Sequence, residues 1–188
     1  MNNPASVSKI APAPASQAVL DVVSERVGFV PNLFSTLAQQ PGVVEAFVAL
    51  DAAFSESSLS PVERQTIQLA ASVENEGRYC VAGHTLFGRS IGMPDQAINA
   101  IRTGADVEDE RLSALHKFVQ QLIRLRGHVS AEETGALMQS GFSRTQMMEI
   151  IMGVTVKTFT NYVDSVMNLT LDEKFEPAAW SKSQSISD

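Results

Sequence analysis

Three times in this chain a serine is followed three residues later by Glu or Gln and then by apolar residues at helical spacing. The pairs are Ser60 with Glu63, Ser130 with Glu133, and Ser143 with Gln146. In such a capping box the serine hydroxyl accepts the third helical N–H, and the acid or amide reaches back to the serine N–H, so the pattern marks helix starts. Elsewhere apolar residues recur at helical spacing: Ala18 to Val27, Leu33 to Ala38, Pro41 to Phe54, Pro94 to Ile101 and Val107 to Arg126. Arg144 to about Asn168 is a last long helix whose apolar density points to burial in the core or at a subunit interface. No stretch alternates as a strand between hairpin turns. The expected fold class is all-α.

The central stretch is Ser60 to Gly92, two helices joined by the polar turn Asn75-Glu76-Gly77. Pro61 suits a first helical position, Ile67, Leu69, Ala70 and Val73 make a buried stripe, and Gly92 is a natural stop. The second helix opens at Tyr79-Cys80-Val81 and carries the only cysteine, with His84 one turn on. Those two side chains share a helix face and lie within reach of each other. A thiol in the first turn feels the positive end of the helix dipole, which favours the thiolate, and His84 could accept its proton. On spacing alone a second reading stands beside this one, and it is the commoner situation. In it Cys80 is a small buried hydrophobe and His84 a hydrogen-bonded core histidine.

At 188 residues the chain is long enough for one domain with a real core. Its Pro/Ala/Ser-rich residues 1–15 read as a mobile arm, 16–180 as a single domain, and the Ser-rich 181–188 as a disordered tail. A net charge of −7 offers nothing to nucleic acid or an anionic membrane. The lack of a signal-peptide core or a spanning apolar run makes a soluble, cytoplasmic protein the expectation. One cysteine and three dispersed histidines do not make a metal site, and no cofactor motif is present. His116 and His128 read as ordinary helix and loop residues, and the scattered methionines as packing. Leu171 to Trp180 reads as irregular, with Trp180 suggesting an anchor on a neighbouring subunit.

The stretch ERQTIQLAASVENEGRYCVAGHT resembles the signature of the carboxymuconolactone decarboxylase and alkylhydroperoxidase D superfamily. VGFVPNLFSTLAQQPGVVEAF upstream and NYVDSVMNLTLDEKFEPAAW downstream are similar to its peroxidase-related branch. The resemblance spans roughly residues 18 to 180. It implies an alkylhydroperoxidase D-like helical bundle that assembles as a dimer, trimer or hexamer. It also implies a redox Cys-x-x-Cys pair, a His four residues after the second Cys, and a relay Glu on the preceding helix. Carried onto this chain, the second Cys is Cys80 and the His is His84, while the first Cys falls on Gly77 and the relay Glu on Gln65. Position 77 therefore supplies no thiol for a local disulfide, and Gln65 can hydrogen-bond but not take a proton.

The candidate catalytic residues are Cys80, His84, Gln65 and Tyr79. The function expected from the resemblance is an antioxidant, peroxidase-like oxidoreductase in which Cys80 attacks a peroxide and an external thiol restores it. Two alternatives use the same fold. One is a non-redox, lactone decarboxylase-like enzyme with His84 as acid and base, and the other a non-catalytic oligomeric binding or scaffold protein.

Overall fold

A computed structural model of the chain describes residues 11–182. Among the described residues the secondary structure is helical throughout. The α-helices are α1 (Gln17–Val27), α2 (Asn32–Leu37), α3 (Pro41–Ser55), α4 (Pro61–Glu74), α5 (Arg78–Ser90), α6 (Asp95–Thr103), α7 (Glu110–Arg124), α8 (Ala131–Gln139) and α9 (Arg144–Met167). All three capping boxes form. Ser60 accepts from the Glu63 N–H at 3.2 Å, while Glu63 Oε2 accepts from the Ser60 N–H at 2.7 Å. Ser130 with Glu133 and Ser143 with Gln146 repeat this reciprocal bonding. Glu63 is tied further, to Arg111 of α7 at 2.6 Å.

The expected arm and tail fall partly outside the described residues, which exclude 1–10 and 183–188. Within the described part, Pro14–Ser16 forms a 3-10 turn, and the Ala13 N–H donates to Ala38 O at 2.9 Å.

α4 is the axis of the bundle. It packs against α5, α6, α7 and α9, so residues 67–72 are buried on every side rather than along one stripe. α9 approaches it closely because Gly153 has no side chain. A Cβ there would lie 2.5 Å from Phe54 Cζ and 3.0 Å from Ile67 Cγ2. The inner face of α9 is buried as its composition suggests, but its outer face is not. Met148, Ile151, Phe159, Tyr162 and Val166 are exposed, Tyr162 by 61% and Val166 by 74%.

The segment expected to be irregular contains a 3-10 helix, Glu173–Ala178. Phe175 anchors it, with edge-on ring contacts to Phe29, Tyr79 and Phe87 at centroid distances of 5.5 to 5.9 Å. Trp180 serves its own chain rather than reaching outward. It is buried, and its Nε1 donates to Arg102 O at 3.0 Å. The Arg102 guanidinium in turn donates to the carbonyls of Ala178 and Ala179. No described helix is long and apolar enough to cross a membrane.

Candidate active site

The site is made where α5 runs antiparallel to α9. The turn before α5 closes with the Gly77 N–H on Ser72 O at 2.9 Å, and Glu76 takes a positive φ of 57°. Gly77 brings no capping side chain, so the start of α5 is capped from across the interface. Asp164 Oδ2 accepts the Tyr79 N–H at 3.0 Å. From there successive turns pair: Gly77 against Asn161, Cys80 against Thr160, His84 against Lys157. Glycine is needed at the first of these contacts. A Cβ at position 77 would stand 2.8 Å from Asn161 Cγ and closer still to its Nδ2.

Cys80 lies in the first turn of α5, only 3% exposed, with Sγ donating to Thr160 Oγ1 at 3.6 Å. Burial pushes its thiol pKa up, since a thiolate there loses its water. Asp164 adds to that rise, while the Lys157 charge and bonds from Thr160 and Asn161 oppose it.

His84, 8% exposed, is fixed at both ring nitrogens. Gln65 Nε2 donates to Gln68 Oε1 at 3.3 Å, which leaves Gln65 Oε1 to accept from His84 Nδ1–H at 3.0 Å. His84 Nε2 then carries a lone pair and accepts from Lys157 Nζ at 2.8 Å. Burial, reinforced by the Lys157 charge, holds the imidazole well below the ordinary histidine range, so it is neutral. Lys157 itself is 4% exposed, and among the described residues no carboxylate lies within ion-pair distance of it.

Of the residues singled out from sequence, Cys80 and His84 share one face of α5, and Gln65 meets His84 from α4. No hydrogen bond joins Cys80 to His84, because each has a different partner on α9. Tyr79 turns the other way. Its hydroxyl bonds Asp172 and accepts the Leu33 N–H at 3.4 Å, and burial with Asp172 beside it raises the phenol pKa far above normal. Its backbone N–H bonds Asp164 on the α5–α9 seam. Sequence reasoning passed over Lys157, Thr160, Asn161 and Asp164. Their signal was register: Ile150, Val154, Lys157, Asn161 and Asp164 fall three and four apart on the buried face of α9.

Among the described residues no three His, Cys, Asp or Glu side chains converge as a metal set. Two surface cavities, of about 350 and 450 Å³, are lined by other residues, the first around Glu74, Arg78 and Trp180 and the second between α7 and α8. With Cys80, His84 and Lys157 all buried, the site is a closed one. It holds a thiol, a hydroxyl, a neutral imidazole and an ammonium without a counter-charge.

Residues 41–115 match the carboxymuconolactone decarboxylase family. No curated protein matches the sequence. Among solved structures, an uncharacterised peroxidase-related protein from Silicibacter sp. TM1040 is similar at a TM-score of 0.79 and 21% identity, over 93% of this chain and 95% of that one. An alkylhydroperoxidase AhpD core protein, also peroxidase-related and uncharacterised, from Ralstonia eutropha JMP134 gives 0.79 and 23%, over 93% and 96%. The debrominase Bmp8, in a cysteine-to-alanine variant complexed with 2,3,4-tribromopyrrole, gives 0.76 and 17%, over 95% and 96%. At these identities the likeness establishes the AhpD-like helical fold.

Proposed function

From the match of residues 41–115 to the carboxymuconolactone decarboxylase family and from the AhpD-like fold, we propose that this chain is a member of that superfamily and a single-cysteine, thiol-dependent peroxidase-like oxidoreductase with an antioxidant role. The observation that carries this reading is the placement of Cys80, the chain's one thiol, in the first turn of α5 beside a hydroxyl and within a cluster that holds a buried ammonium. The Cys80 thiolate attacks one peroxide oxygen, the O–O bond breaks, the sulfur becomes a sulfenic acid, and the departing oxygen leaves as an alcohol or water once protonated. With no second cysteine in the chain, an external thiol condenses with the sulfenic acid, releasing water, and a second thiol frees Cys80 as the external disulfide departs. The closed site favours hydrogen peroxide over bulky alkyl hydroperoxides.

Peroxide consumption with a small dithiol reductant tests this. Cys80→Ser is expected to remove turnover and sulfenic-acid trapping while circular dichroism is unchanged. Peroxide turnover that survives Cys80→Ser would remove this reading.

We propose further that a second copy of the chain covers the outer face of α9. From Met148 to Met167 every exposed side chain is uncharged, and Met148 to Val166 spans about 27 Å of helix. Such a face meets itself across a two-fold axis with no like-charge repulsion.

A further inference from the structure

We infer that Lys157 is the residue that favours the Cys80 thiolate against the cost of its burial, and that Gln65 and His84 work through it as a neutral clamp holding the ammonium in the same layer as the sulfur. This rests on the reading that Cys80 is the reacting group.

The geometry comes from two helices in antiparallel register. On α5 the step from Cys80 to His84 is one turn, and on α9 the step from Thr160 back to Lys157 is slightly less than one. Thr160 Oγ1 meets the sulfur at 3.6 Å and Lys157 Nζ meets His84 Nε2 at 2.8 Å. These two contacts lock the four side chains into one layer. Thr160 Oγ1 also donates to Lys157 O at 3.1 Å, which stiffens the α9 side of it.

Charge gives the layer its direction. With Cys80 as a thiol the layer carries one positive charge, buried and bonded only to a neutral imidazole, a state that a low-dielectric interior disfavours. Loss of one proton from Cys80 to solvent leaves an ammonium and a thiolate and no net charge. His84 is not the acceptor of that proton, because Nδ1–H is committed to Gln65 and the Nε2 lone pair to Lys157. The charged groups that face the thiol otherwise are few. Asp164, one turn along α9, opposes ionisation, but its carboxylate is occupied by the Tyr79 N–H and faced by Arg78.

Gln65 gains a purpose in this account. A glutamate there would pass a negative charge to His84 and so to Lys157, neutralising the ammonium before the thiolate could. An amide fixes the same tautomer and leaves the positive charge for the sulfur. Gln65 and His84 are therefore positioning residues.

The test is the pH titration of thiolate absorbance in the full chain, with Cys80→Ser as the blank. Lys157→Met is expected to raise the midpoint by at least about one pH unit, roughly tenfold less thiolate near neutrality. Lys157→Arg should bring most of the shift back, and Gln65→Glu should move the midpoint upward as well. Methionine at a buried, unpaired lysine is expected to fold, and if it does not, the arginine and glutamate variants decide. An unmoved midpoint in Lys157→Met, or in Gln65→Glu if that variant alone folds, overturns the inference. So does a midpoint that shifts in His84→Asn but stays in place in Lys157→Met. The titration needs no peroxide, so the two proposals fail separately. A shifted midpoint without peroxide turnover removes only the peroxidase reading, and intact turnover with an unmoved midpoint removes only the role of Lys157.

Discussion

Asn161 stands where any side chain at position 77 would have to go. Its Nδ2 donates to Ser72 Oγ at 3.3 Å and its Oδ1 accepts from Asn75 Nδ2 at 3.2 Å, so the amide cannot swing aside without losing both bonds. Gly77→Ala is therefore expected to cost about 1–3 kcal/mol of stability, the usual range for overpacking. In urea denaturation, Gly77→Ala combined with Asn161→Ala should lose less than the sum of the two single changes, because the second removes the obstacle met by the first. Strict additivity would show that the two positions do not meet. This contact also marks a limit of the sequence. Local spacing put Cys80 and His84 on one face, and Gln65 was placed by likeness to a motif. Which residues Cys80 and His84 would meet across the seam was set by α9, some seventy to eighty positions away, and nothing local encodes that register.

The helices themselves were far more legible, because a capping box is a contract among four consecutive residues. Ser60, Ser130 and Ser143 announced α4, α8 and α9 without any tertiary knowledge. What local pattern could not resolve is α9, whose two faces are both rich in apolar residues. Met, Ile and Val on its inner side bury against α3, α4 and α5, and the same residue types on its outer side meet solvent. Lys157 was hidden by the company it keeps, a lone cation within VTVKTF. The outer face carries its own expectation. Tyr162→Asp with Val166→Asp should reduce the sedimenting mass to that of one chain while helicity holds. Equal masses for the variant and the parent would remove the proposed self-association.

At the scale of the molecule, two buried neutral histidines make the folded state sensitive to acid. His116 on α7 is buried with no partner at Nε2, and burial lowers its pKa from 6.5 to about 4. His84 shifts in the same direction. The unfolded chain binds protons that the folded chain refuses, so this stability is complete above pH 6.5 and is lost as pH falls toward 4. For His116 the full loss is about 3 kcal/mol at roughly 1.4 kcal/mol per unit. The urea midpoint should therefore drop between pH 7 and pH 5, and His116→Leu should flatten the slope. A midpoint constant across that interval would mean that His116 finds a partner or water when protonated. The C-terminal segment contributes a built-in reporter of another kind. Trp180 is the chain's one tryptophan, and its indole is seated on Arg102. Excited at the red edge, where the two tyrosines do not absorb, the chain's fluorescence is consequently the emission of a single indole, and a red shift ahead of global melting would time the moment at which residues 173–180 peel from α5 and α6.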